Sequence, residues 1–129
     1  MPILNVKIAA KESRELTAAV SASLIELTTR ILKKKAEVTS VVITYLDPEH
    51  WIVGGVTLAE QGRSSFYFDI KITDETNTKA EKAQYIREAY AMFAEFLGKL
   101  HEVSYIHVED VRATAYGYGG LTQEHRYHH

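Results

Sequence analysis

Apolar and polar positions alternate from residue 3, where Ile3, Leu4, Val6 and Ile8 predict a partly buried strand over 3–9. Ser13 then offers an N-cap, and Leu16, Val20, Leu24, Leu27 and Ile31 follow at spacings of 4, 4, 3 and 4. That stripe predicts one helix. Arg30, Lys33, Lys34 and Lys35 gather at its C-terminal end, where cations suit the helix dipole. The β-branched run from Val38 to Leu46 predicts a second strand, broken by Asp47-Pro48-Glu49. Trp51 and the pair Gly54-Gly55 close the segment.

The pattern then starts again. Phe66 to Ile72 predicts a strand, and Thr78 with Glu81 makes a capping box ahead of a helix. Ala83, Ile86, Tyr90, Phe93 and Leu97 predict its apolar face, Gly98 its end, and Val103 to Val111 a last long strand. Sliding the chain by 64 residues lays Val6-Lys7-Ile8 on Ile70-Lys71-Ile72 and Val41-Val42-Ile43 on Tyr105-Ile106-His107. The helices match nearer 66, and Gly54-Gly55 falls one residue short of Gly119-Gly120. The chain therefore reads as a single domain over 1–129, with one repeat at 2–55, another at 65–120 and a tail at 121–129.

Two βαβ units need right-handed crossovers, which predicts an α/β (α+β) fold. Its four-stranded sheet carries both helices on one face. Val, Ile, Phe and Tyr side chains are expected on the other face, so association should bury it. Tyr116 and Tyr118 are expected in a C-terminal turn that packs on a neighbour.

Composition narrows the chemistry. The 129 residues are 46% hydrophobic and 25% charged, enough to bury a core. The absence of cysteine excludes disulfides, thiol catalysis and cysteine-bound zinc. A net charge of −2 without a basic block argues against nucleic acid. No apolar run is long enough to cross a membrane and no leader is visible, so a cytoplasmic protein is expected. His125, His128 and His129 crowd the end of the chain, but ligands on a mobile terminus pay ordering entropy, so no metal is assigned.

Pro2 is the candidate base. Removal of Met1 would leave it a secondary amine, with an ordinary α-amino pKa of ~7.7–8.0, suited to proton transfer near neutrality. Phe66 stands at the matching position of the second repeat, so only the first can supply an amine.

Met1-Pro2-Ile3 ahead of a strand, the βαβ unit, and His50-Trp51-Ile52-Val53-Gly54-Gly55 at its end resemble the 4-oxalocrotonate tautomerase family. The doubled unit resembles that superfamily's fused members, the cis-3-chloroacrylic acid dehalogenase and macrophage migration inhibitory factor groups among them. The resemblance implies a homotrimer with its sheets in an inner barrel and Pro2 in a pocket shared between subunits. It also implies a cofactor-independent tautomerase or isomerase acting on a small carboxylate, an enol or keto acid. The carboxylate-holding arginines of the family are replaced here by Glu12 and Ser40, and the dehalogenase pair by Thr73-Asp74-Glu75-Thr76. By the same resemblance Lys35, Trp51, Tyr105 and His107 bind substrate, with Lys34 or Lys71 as the next cations. Hydration, dehalogenation or decarboxylation of a small unsaturated or oxo acid, or a non-catalytic oligomeric binding module, are the alternatives.

Overall fold

The computed structural model describes residues 2–128, with the side chain of His128 left out. Strand β1 (Ile3–Ala9) leads to helix α1 (Arg14–Arg30) and strand β2 (Ser40–Leu46). Strand β3 (Ile52–Val53), strand β4 (Val56–Thr57) and the short helix α2 (Leu58–Gln61) complete the first unit. The second unit repeats this order as β5 (Phe66–Thr73), α3 (Lys79–Leu97), β6 (Tyr105–Val111), β7 (Gly117–Tyr118), β8 (Leu121–Thr122) and α4 (Gln123–His128). The stretch 121–129, read from sequence as a tail, thus supplies the counterparts of β4 and α2 over its described residues.

The sheet order is β2-β1-β5-β6, with parallel pairs outside and an antiparallel pair at the centre. Ile3 faces Lys71 and Lys7 faces Tyr67, so a pseudo-twofold axis passes between Asn5 and Asp69. Each βαβ unit is therefore the rotated image of the other.

Period-two patterning decides which side of the sheet each residue takes. Leu4, Val6, Ile8, Phe66, Phe68, Ile70 and Ile72 are fully buried against the helices. Val20, Leu24, Leu27 and Ile31 meet them from α1, as their spacing predicts. Helix α3 differs from expectation. It buries Tyr85, Ala89 and Phe93, whereas Ala83 and Ile86 face outward. Tyr90, Phe93 and Leu97 pack on the core as expected, but in the N-terminal half Tyr85 and Ala89 turn inward in place of Ala83 and Ile86, and Tyr85 has a polar partner there. Its Oη lies 2.8 Å from Thr28 Oγ1 on α1, so the phenol is buried without losing its hydrogen bond.

Burial pushes the Tyr85 phenol well above its ordinary range, although the Thr28 hydrogen bond opposes that shift. An unfolded chain releases this proton near pH ~10, while the folded chain keeps it. The unfolded state then binds fewer protons, so stability must fall as pH rises above ~10, by ~1.4 kcal/mol per pH unit for one group. Urea unfolding between pH 9 and 11 should show this slope, and Tyr85→Phe should flatten it. An unchanged slope would place the alkaline lability elsewhere.

Helix α3 begins with the expected capping box: Glu81 N donates to Thr78 Oγ1 at 3.1 Å and Thr78 N to Glu81 Oε1 at 2.8 Å. Thr78→Ala is expected to cost ~1 kcal/mol in chemical denaturation.

The open face of the sheet is more polar than the sequence suggests. Both phenylalanines of β5 point to the helices, and one row across the open face runs Val42, Asn5, Asp69, His107. Tyr105 is 64% exposed and Val42 50% exposed on this face. Lys71 bridges Asp69 at 3.3 Å and Glu109 at 3.7 Å. Arg112 has no salt bridge among the described residues, and Glu109 and Asp110 pair with Lys71 and Lys82. No helix among the described residues is long and apolar enough to cross a membrane.

Candidate active site

Pro2 sits at the head of β1, buried, with its carbonyl accepting a hydrogen bond from Ser40 N at 3.1 Å. The state of the amino terminus rests on Met1, which lies outside the described residues. The carbonyl contact anchors the ring against β2. Beside it opens a recess of about 370 Å³, bounded by Ile3, Glu37 to Ser40, and Tyr116, Gly117 and Tyr118. The two tyrosines arrive on the second unit's terminal hairpin, not from a neighbour.

That hairpin is built for a tight approach. Gly119 and Gly120 hold φ of +62° and +81°, as Gly54 and Gly55 hold +64° and +81° in the first unit. Positive φ at both central residues makes a two-residue turn whose twist suits the flanking strands. A Cβ at Gly117 would lie 2.0 Å from the Leu121 carbonyl oxygen, so only glycine fits there.

Tyr116 Oη donates to the Lys71 carbonyl at 3.0 Å, bracing the recess against β5. Burial raises its pKa, opposed by the Ile3 N–H and the charge of Lys71, so the phenol stays protonated near neutrality. The sequence carried a signal for this role. Trp51 falls on Tyr116 at an offset of 65, so the residue singled out in one unit marks its counterpart in the other.

Behind the recess lies a second cavity of about 350 Å³, which shares Val38 and Tyr118 with it. Lys33, Lys34, Lys35 and Arg126 line this second space. Lys35 therefore stands next door to Pro2 and does not line its recess. Lys34 Nζ donates to Thr76 Oγ1 at 2.7 Å, and partial burial lowers its pKa despite the charges of Glu81 and Asp110.

The other expected site residues are not brought to Pro2 within one chain. Tyr105 and His107 lie on the open face of β6, in register with Tyr67 and Asp69. Trp51 follows β2, whose last residue pairs with Ala9 at the far end of β1. The same pseudo-twofold that carries Tyr116 to Pro2 carries Trp51 to the neighbourhood of Phe66. Lys71 is engaged by two carboxylates, and its pKa is raised because those partners outweigh its desolvation. Among the described residues no cluster of three His, Asp or Glu could hold a metal ion.

A two-layer βαβ repeat with proline at the head of its first strand defines the class of protein. Residues 2–61 match the family described as tautomerase enzyme. No curated protein matches the sequence. A fused 4-OT, wild type and a symmetric trimer, superposes with a TM-score of 0.81 at 17% identity, over 95% of this chain and 96% of that one. Pt0534, in a structure inactivated by 2-oxo-3-pentynoate, gives 0.83 at 13% identity over 96% and 98%. A macrophage migration inhibitory factor-like protein from Entamoeba histolytica gives 0.76 at 13% identity over 94% and 97%. The first unit thus carries the family match, and the whole chain shares the fold of these solved structures.

Proposed function

We propose that this chain is a cofactor-independent isomerase that moves a proton between carbon and oxygen of a small enol or keto acid. The unblocked amine of Pro2 is the base. One observation carries the reading: Pro2 is buried at the mouth of a recess of substrate size, at the position where the second unit has Phe66. An amine there can take a proton from carbon or from an enol hydroxyl and return it to the other atom. Tyr116 and Tyr118 form the wall that keeps water from the reacting carbons. Lys35 and its neighbours in the adjoining cavity favour a negatively charged substrate and stabilise the enolate electrostatically.

We also propose a homotrimer. Val42, Tyr105 and Ile52, the last 61% exposed, are apolar groups that association would cover. A fused 4-OT of the same fold is a trimer. In such an assembly Tyr105, His107 and Trp51 would complete a neighbour's site, since their own chain holds them away from its Pro2.

The absence of arginine at Glu12 and Ser40 favours a second reading, a binding module that keeps the pocket without turnover. Glu12 is exposed and Ser40 supplies the Pro2 carbonyl with a backbone N–H, so neither offers a cation. Ketonisation of phenylenolpyruvate and 2-hydroxymuconate separates the two readings, with intact mass confirming that Met1 is gone. Catalysed decay of either enol supports the isomerase. A protein of the correct mass that leaves both enols at their spontaneous rate is a binding module.

A further inference from the structure

The cavity behind the Pro2 recess differs from its counterpart in the first unit in a way that marks it as a ligand site. The two terminal hairpins and helices superimpose in their bonding at an offset of 65 residues. Leu58 N donates to the Trp51 carbonyl at 2.8 Å, and Gln123 N to the Tyr116 carbonyl at 2.7 Å. Gln61 Nε2 donates to the Val53 carbonyl at 3.0 Å, and Arg126 Nη2 to the Tyr118 carbonyl at 3.0 Å. The backbone plan is shared, but the side chains are not.

In the first unit the counterpart recess, about 600 Å³, is floored by the fully buried, apolar Leu58. In the second unit Gln123 stands at that position, and its Oε1 is buried with no hydrogen-bond partner among the described residues. An unpaired buried amide oxygen costs stability and calls for a hydrogen-bond donor, which a monohydrogen oxyanion brings in its hydroxyl. Arg126 replaces Gln61 and lies over the Tyr118 ring, 3.9 Å from its centroid, which holds the guanidinium at the cavity.

Among the described residues Lys33, Lys34, Lys35 and Arg126 form no salt bridge. Lys33 donates to the Arg30 carbonyl and Lys34 to the Thr76 hydroxyl, both neutral groups. The acids nearest Lys34 are occupied elsewhere, Glu81 by Thr78 N and Asn77, and Asp110 by Lys82. Four cations without a salt bridge around one small space favour a doubly charged oxyanion over a single carboxylate.

We propose that this cavity binds a dianionic oxyanion group, phosphate-like in charge and size. Resting further on the isomerase reading, that group belongs to the same small acid whose enol or keto end reaches Pro2 past Val38 and Tyr118. The substrate class is then an enol or keto acid with a dianionic group remote from the reacting carbon.

Calorimetric titration at low ionic strength tests the site with inorganic phosphate, malonate and acetate as probes. Phosphate and malonate should bind saturably, and acetate about tenfold or more weakly. Removing one charge-assisted hydrogen bond should weaken phosphate binding about tenfold or more, and Arg126→Gln does so while a glutamine can keep the bond to the Tyr118 carbonyl. Gln123→Leu combined with Arg126→Gln gives the cavity the first unit's residues at these two positions and should abolish phosphate binding without lowering the melting temperature. Acetate binding as tightly as phosphate, no saturable phosphate binding, or undiminished binding by Arg126→Gln would overturn the proposal. Pro2→Ala should bind phosphate as the native protein does, so loss of the base leaves this site testable. Conversely, tautomerisation without phosphate binding removes this site and keeps the base.

Discussion

Exchanging Pro2 for alanine is expected to lower kcat/KM for an enol acid by ~10²–10⁴-fold, the range lost with a positioned base. The fold should survive, because the strand is held by its register with β2 and β5 on both sides. Alanine keeps an amine, but a primary one without the ring that seats Pro2 in the recess, so the lone pair loses its direction. The sharper control is chain that retains Met1. Its Pro2 nitrogen is an amide with no basic lone pair, and it should not turn over at all. Activity must rise with pH as the amine loses its proton. For an unperturbed terminus that rise centres at ~7.7–8.0. A pH–rate profile of the native protein locates that rise. If Pro2→Ala matches the native rate, the proline ring is dispensable, and if chain that retains Met1 turns over, the amine is not the base.

The largest stability loss is expected at Phe93. Its ring is fully buried, stacked on Phe66 with centroids 4.0 Å apart and tilted against Phe68 at 6.2 Å. This one side chain joins α3 to the sheet at the strand that also carries the central antiparallel pairing. Phe93→Ala should cost about 3–5 kcal/mol, the transfer energy of the ring plus the cavity it leaves. Urea unfolding measures it. Phe93→Leu should recover much of the loss, because volume matters more here than aromatic identity. A loss below ~1 kcal/mol would mean that α3 closes over the gap.

The regular elements were legible because their side-chain periods are enforced by burial. The stripe from Leu16 to Ile31 and the alternation in β1 each admit one orientation against a sheet. The repeat fixed the topology by the same logic, since two units of equal pattern can share one sheet. Helix α3 was legible at Tyr90, Phe93 and Leu97 but misled in its N-terminal half, where Ala83 and Ile86 keep a helical period without facing the sheet and Tyr85 turns inward to Thr28. Sequence periodicity sees spacing, not partners. The open sheet face was overrated as apolar for a related reason: alternation sends Phe66 and Phe68 to the core together.

The site was half legible. Pro2 and the lysine cluster stand out in the chain, but their separation by Val38 and Tyr118 is a property of folded space. Tyr116 was hidden because it lies 114 residues from Pro2 along the chain and meets it only through the terminal hairpin. The hairpins themselves, read as glycine turns, are two-residue loops between strands of two residues each, too short for any alternation to show.

The central pair of the sheet carries a consequence for how such a chain can change. Two separate copies of one unit, joined about a true twofold, would meet their own residue at the position of Asn5 and Asp69. Two aspartates there would repel, and two asparagines would leave Lys71 without its closest carboxylate. Covalent fusion lifts that restriction, giving each half a vocabulary of its own. The linker of residues 62–65 is thus what permits amine and phenylalanine, glutamine and arginine, to occupy corresponding places in one molecule.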